Sequence, residues 1–76
     1  MDMPTPTAEQ IAQHYRAMGD SVWLINRIVS GVQRADKDAV DRNVRHLELM
    51  RAKDFWTNED MTSVDAAIAA GKAYLG

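Results

Sequence analysis

The sequence predicts an all-α fold, a small three-helix bundle made of an antiparallel helical hairpin and a third short C-terminal helix. Three observations support this prediction. Apolar residues recur at intervals of three and four along most of the chain, and residues that cap helices precede these stretches. The chain has 76 residues and no cysteine, so its stability must come from helix packing or from a partner.

The length limits the chain to one domain. Pro4 and Pro6 restrict their own backbone angles and those of the residues before them, so residues 1–6 are predicted to form a flexible N-terminal arm. Residues 7–76 are predicted to form a single helical domain.

The first helix is predicted to begin at Thr7, which with Gln10 has the spacing of a capping box, and to end at Gly31. Its apolar residues share one stripe with alternating intervals of four and three: Ile11, Tyr15, Met18, Val22, Ile25, Val29 and Val32. Gly19, followed by Asp20 and Ser21, raises the alternative of a kink or a break. We favour a continuous helix, because the stripe keeps its phase through Gly19.

The second helix is predicted to start at Asp36, with acidic residues in its first turn and basic residues in its last. Charged pairs four residues apart indicate a solvated face. The buried face is predicted to comprise Val40, Val44, Leu47 and Met50, with Leu49 at its edge.

Residues 57–60 form a polar cluster that is typical of a turn, and Phe55 and Trp56 beside it are expected to close one end of the core. Thr62 is a candidate cap for a third helix running from Val64 to Leu75. Alanines and Gly71 in this helix permit close approach to its neighbours. Its predicted apolar face comprises Val64, Ala67, Ile68, Gly71, Tyr74 and Leu75.

No residue pattern points to catalysis, a metal or a cofactor. His14 and His46 have no ligand-like companion three or four residues away on their own helices. Asp60 and Asp65 lie at predicted capping or first-turn positions, where negative charge has a structural role. No nucleophile motif or phosphate-binding loop is present in the sequence, so we expect no enzyme activity.

The charge pattern argues against nucleic acid as a direct partner. Nine basic and eleven acidic residues are interleaved and give a net charge of −2, without the basic stripe that phosphates require. The predicted third helix carries a single base, Lys72, which weakens a helix-turn-helix interpretation. No apolar run reaches the length of a membrane span, and no signal peptide is recognised, so we expect a location in the cytoplasm.

Apolar surface beyond what a small bundle covers indicates contact with another protein. Trp23 lies off the stripe of the first helix, and Leu24 and Ile28 widen that stripe. The alternative is that these side chains belong to the intramolecular core. The candidate protein-interaction residues are Trp23, Leu24, Ile28, Phe55 and Trp56.

Residues 43–50 (NVRHLELM), 52–60 (AKDFWTNED) and 66–72 (AAIAAGK) resemble short helical proteins of tailed bacteriophages and prophages, encoded in virion-structure gene clusters. The resemblance extends over residues 43–72, a little under half of the chain, and assigns no site residue. It implies a small virion or assembly component that binds itself or other phage proteins, in the host cytoplasm or in the virion. The alternative is an accessory protein that binds and inhibits a host protein.

Overall fold

The computed structural model describes residues 6–53 and 56–76, and this part of the chain forms three helices without a strand. Helix α1 spans Ala8–Val29, α2 spans Lys37–Arg51 and α3 spans Asn58–Leu75. All three pack against one another, which confirms the predicted three-helix bundle. Residues 1–5 of the predicted arm lie outside the described residues.

Helix α1 begins and ends where the sequence predicts. The Thr7 hydroxyl accepts a hydrogen bond from the Gln10 amide at 3.1 Å, and the Gln10 side chain accepts one from the Thr7 amide at 2.9 Å. The helix continues through Gly19 without a break. Gly31, with a φ of +81°, adopts the left-handed conformation that favours glycine after a helix.

Helix α2 also follows the prediction, except at Leu49. Asp36 caps it by accepting a hydrogen bond from the Ala39 amide at 3.0 Å. Val40, Val44, Leu47 and Met50 are buried. Leu49 is 72% exposed, so its predicted place at the edge of the core is wrong. Two residues along a helix turn a side chain by about 200°, which places Leu49 opposite Leu47.

Helix α3 begins six residues earlier than predicted and, with 18 residues, is longer than α2 with 15. Thr57, and not Thr62, is its cap. The Thr57 hydroxyl accepts a hydrogen bond from the Asp60 amide at 3.2 Å, and the Asp60 carboxylate accepts one from the Thr57 amide at 3.0 Å. The polar cluster assigned to a turn is therefore the cap and first turn of a helix, two settings that favour the same residue types.

The order of contacts gives the direction of each helix. Arg51 pairs with Asp65, and Glu48 pairs with Lys72 at 3.7 Å, so α2 and α3 are antiparallel. Tyr15 contacts Asp60, and Ile25 lies near Gly71 further along both helices, so α1 and α3 are parallel. The chain therefore runs up, down and up. The buried positions of Ala67 and Gly71 agree with the predicted close approach of α3.

The buried side of α1 is rotated relative to the predicted stripe. Met18 and Ile25 are buried as predicted, but Ser21 and Ile28 complete the buried set. Val29 and Val32 are exposed, which corrects the end of the stripe. Because α1 packs against two helices, a wide arc of its surface is buried. One residue of that arc, Ser21, is polar, so the spacing of apolar residues alone does not show where the arc lies.

Candidate functional site

The side of α1 that faces away from the core carries Trp23, which is 57% exposed. Indole is the largest side chain in proteins, so this exposure leaves substantial apolar surface in water. The exposed residues nearest to it along the helix are Gly19, Asp20 and Asn26, and the half-buried Arg27 lies one turn further along. We call the following set the Trp23 face: Ala12, Arg16, Gly19, Asp20, Trp23 and Arg27.

Arg27 holds the indole of Trp23 in place from one turn further along the helix. Its guanidinium carbon lies 4.7 Å from the ring centroid, within the range of a cation–π contact. Its Nε donates a hydrogen bond to Gln33 Oε1 at 3.3 Å. The spacing of four residues makes this contact visible in the sequence, although the sequence analysis did not identify it.

Gly19 lies one turn before Trp23 and has no role in the fold of the single chain. A methyl group added there would meet no atom within 4 Å, and its φ is not positive. Neither packing nor backbone conformation therefore requires glycine at this position. Glycine inside a helix costs about 1 kcal/mol relative to alanine. No interaction within the folded chain offsets this cost.

The outer side of α1 also carries exposed charged residues. Within the described residues, Glu9, Arg16 and Asp20 are exposed and make no ion pair. Among the other surface charges of the described residues, some are paired, such as Arg51 with Asp65, and others are not, such as Lys37 and Arg42. The Trp23 face thus combines apolar surface with charges that can accept partners from another molecule.

The other predicted interaction residues do not join this face. Leu24 is half-buried and packs against the core, and Ile28 is only 2% exposed, so Ile28 is a core residue of the single chain. Trp56 is half-buried at the opposite end of the bundle from the loop that joins α1 and α2. Phe55 lies outside the described residues.

Trp56 packs against the core beside Tyr15, as expected for a residue that closes one end. The two rings meet edge to face with centroids 4.7 Å apart, and the indole N–H of Trp56 donates to the carbonyl of Met50. Tyr15 Oη donates to Asp60 Oδ2 at 2.6 Å. This hydrogen bond, and those from Thr57, lower the pKa of Asp60, and the same bond raises the pKa of Tyr15.

The sequence analysis missed one pair of chemically active side chains, because its members come from different helices. Ser21 Oγ and His46 Nδ1 are hydrogen-bonded at 2.8 Å. Ser21 is only 3% exposed, between two packed helices, so its hydroxyl cannot reach a substrate. A serine three residues from Met18 and four from Ile25 was the signal that it lies in the core. The pair satisfies a buried hydroxyl and links α1 to α2.

Among residues 6–53 and 56–76, no group of three or more histidine, aspartate or glutamate residues could hold a metal ion. None of the described helices combines the length and the apolar character needed to cross a membrane. Comparisons with protein-family models, curated proteins and solved structures give no match.

Proposed function

We propose that this chain is a non-enzymatic protein–protein interaction module and serves as a small component of a bacteriophage virion or of its assembly. The exposed indole of Trp23, held in place on an otherwise folded bundle, is the observation that carries the proposal. The docking surface is the Trp23 face.

The composition of the Trp23 face is that of a protein contact. Tryptophan and arginine are enriched among the residues that contribute most to binding between proteins. The contact between Arg27 and Trp23 orders the indole before binding, which reduces the entropy that association must offset. The absence of a side chain at Gly19, one turn before Trp23, leaves the indole accessible from that side.

The polar pairs of the bundle support a non-enzymatic role. Ser21 and His46 bond to each other across a packed helix interface, and Tyr15 and Asp60 bond at one end of the core. Each pair therefore has a structural role in holding two helices together. The resemblance of residues 43–50, 52–60 and 66–72 to short phage proteins supports the assignment to a virion or its assembly.

The test uses virion particles from the phage or prophage that encodes the chain. Its gene is replaced by a Trp23→Ser variant or by a Leu49→Ser variant, and the chain is quantified in purified particles by mass spectrometry. Leu49 is a matched control because it is exposed on α2, away from the Trp23 face. We expect the chain in wild-type particles, a loss of about tenfold or more for Trp23→Ser, and wild-type levels for Leu49→Ser.

Two results would overturn the proposal. Absence of the chain from wild-type particles and from their assembly intermediates would exclude a virion role and favour the accessory protein that inhibits a host protein. Equal incorporation of wild-type and Trp23→Ser chains, with both variants folded, would exclude the Trp23 face as the docking surface.

A further inference from the structure

Four charged residues on the outer side of α1 form a row in which the sign of the charge alternates. Glu9, Arg16, Asp20 and Arg27 are seven, four and seven residues apart, so they lie along one line of the helix surface. The row extends over about 27 Å. Read from the N-terminus, the four charges are negative, positive, negative and positive. Read from the C-terminus, each position has the opposite sign.

This order makes the row complementary to itself when it is reversed. We infer that the Trp23 face binds the same face of a second copy of this chain, with the two α1 helices antiparallel and the two-fold axis beside position 18. The inference rests on the proposed docking role of the Trp23 face and names its partner.

The antiparallel arrangement pairs every charge of the row with an opposite charge. Position 18 is the midpoint between Arg16 and Asp20, and also the midpoint between Glu9 and Arg27. Each Arg16 therefore lies level with Asp20 of the second copy, and each Glu9 lies level with Arg27 of the second copy. Two-fold symmetry makes four ion pairs from these two kinds of contact.

The same register places small residues near Trp23 and near the two-fold axis. Trp23 lies level with Gln13 of the second copy, one residue from Ala12, which presents only a methyl group. Gly19 lies one residue from the level of the two-fold axis, and it adds no side chain beside the row of charges.

Arg27 can form an ion pair with Glu9 of the second copy without losing its present contacts. Its Nε is used by Gln33, and the face of its guanidinium group lies over Trp23. The terminal Nη groups remain to donate to Glu9 of the second copy.

Other occupants fit the row less well. A parallel copy in register would place like charges opposite one another along the whole row. The row carries two positive and two negative charges, so it offers no single sign to a nucleic acid, an anionic membrane or a uniformly charged peptide. An antiparallel copy satisfies all four positions.

The experiment reverses one charge in each of two variants and then mixes them. In Asp20→Arg, positions 16 and 20 are both positive, and in Arg16→Glu both are negative, so each variant repels its own kind. In the mixed pair, position 16 of each variant lies opposite the complementary charge at position 20 of the other. Sedimentation velocity over a range of concentrations measures the dimer dissociation constant of each variant and of the equimolar mixture.

We expect a weak, reversible wild-type dimer, because one helix face buries less area than a standard interface. Each variant alone should raise the dissociation constant by about tenfold, and the mixture should restore it to within about threefold of the wild-type value. The matched controls are Asp41→Arg and Arg45→Glu, which reverse the same charges at the same spacing on the exposed face of α2. They should leave the dissociation constant unchanged.

Three results would overturn the inference: a wild-type monomer at every concentration up to about millimolar, a mixture no tighter than the separate variants, or equal effects of the α2 controls. These outcomes are separable from the virion test. A failed mixture with loss of Trp23→Ser from particles leaves the proposed function standing with a different partner. A restored mixture with normal incorporation of Trp23→Ser supports the dimer and overturns the virion role of this face.

Discussion

Gly71 lies where α3 crosses both other helices, and its replacement by alanine tests how tightly the bundle is packed. A methyl group at this position would overlap Val44 Cγ2 and would lie 3.4 Å from Val40 Cγ1 and 3.5 Å from Ile25 Cγ2. All three neighbours are buried and β-branched, so each has one strongly preferred rotamer in its helix. The overlap therefore requires α3 to move away from α2.

Two opposing effects determine how much Gly71→Ala changes the free energy of unfolding. Alanine is favoured over glycine by about 1 kcal/mol inside a helix. Overpacking a close-packed core costs about 1 to 3 kcal/mol, and an overlap with a rotamer-restricted valine belongs at the upper end of that range. We expect Gly71→Ala to lower the free energy of unfolding by about 1 to 2 kcal/mol, which lowers the Tm of a domain this small by about 4 to 8 °C per kcal/mol.

The assay is urea and thermal unfolding followed by circular dichroism, with Gly19→Ala as the matched control. Position 19 has open space around it, so the same substitution should raise the free energy of unfolding by about 1 kcal/mol. Combining Gly71→Ala with Val44→Ala should cost less than the sum of the two changes, because Val44→Ala removes the overlapping methyl group. A Gly71→Ala variant as stable as the wild type would refute the close approach of α3 to α2.

Three further predictions concern the core, the pH dependence and the outer face. Leu47→Ala should lower the free energy of unfolding by about 2 to 5 kcal/mol, because Leu47 is fully buried; urea unfolding measures this. Hydrogen bonds lower the pKa of Asp60 and Asp65 in the folded state. The contribution of the two carboxylates to stability is therefore complete above about pH 4, and it is lost as the pH falls through their pKa values in the folded state. Acid-induced unfolding of the wild type and of Asp65→Asn measures this loss. Trp23→Ala should change the free energy of unfolding by no more than about 1 kcal/mol, because Trp23 is exposed and loses only its contact with Arg27; a loss comparable to that of Leu47→Ala would place the indole in the core.

Local chemistry made the helix boundaries of α1 and α2 predictable. Thr7 with Gln10 and the lone cap Asp36 each satisfy a backbone amide within three residues, so no tertiary information is needed to recognise them. The predicted start of α3 was wrong because threonine at position 57 and aspartate at position 60 suit both a turn and a capped helix. The hydrogen bond from Tyr15 on α1 to Asp60 is a tertiary contact that accompanies the capped helix.

The rotation of α1 could not be read from apolar spacing alone. Met18 and Ile25 belong equally to a stripe completed by Val22 and to one completed by Ser21. The direction of the rotation depends on where α2 and α3 lie, and Ser21 becomes buried because His46 on α2 supplies its hydrogen bond. The same rotation takes Ile28 into the core and leaves Trp23 outside, so the candidate site was only partly predictable from the sequence.

The two sides of α1 differ in what their residues do for the single chain. Every buried side-chain nitrogen and oxygen in the described part of the chain has a hydrogen-bond partner, and the core side is closely packed. The outer side holds Gly19, which lowers helix stability by about 1 kcal/mol, and Trp23, which leaves apolar surface in water. In a domain whose total stability is only several kcal/mol, such local costs are expected at positions selected for function. Because the two sides point in opposite directions, substitutions on the outer side should alter association while leaving the bundle folded.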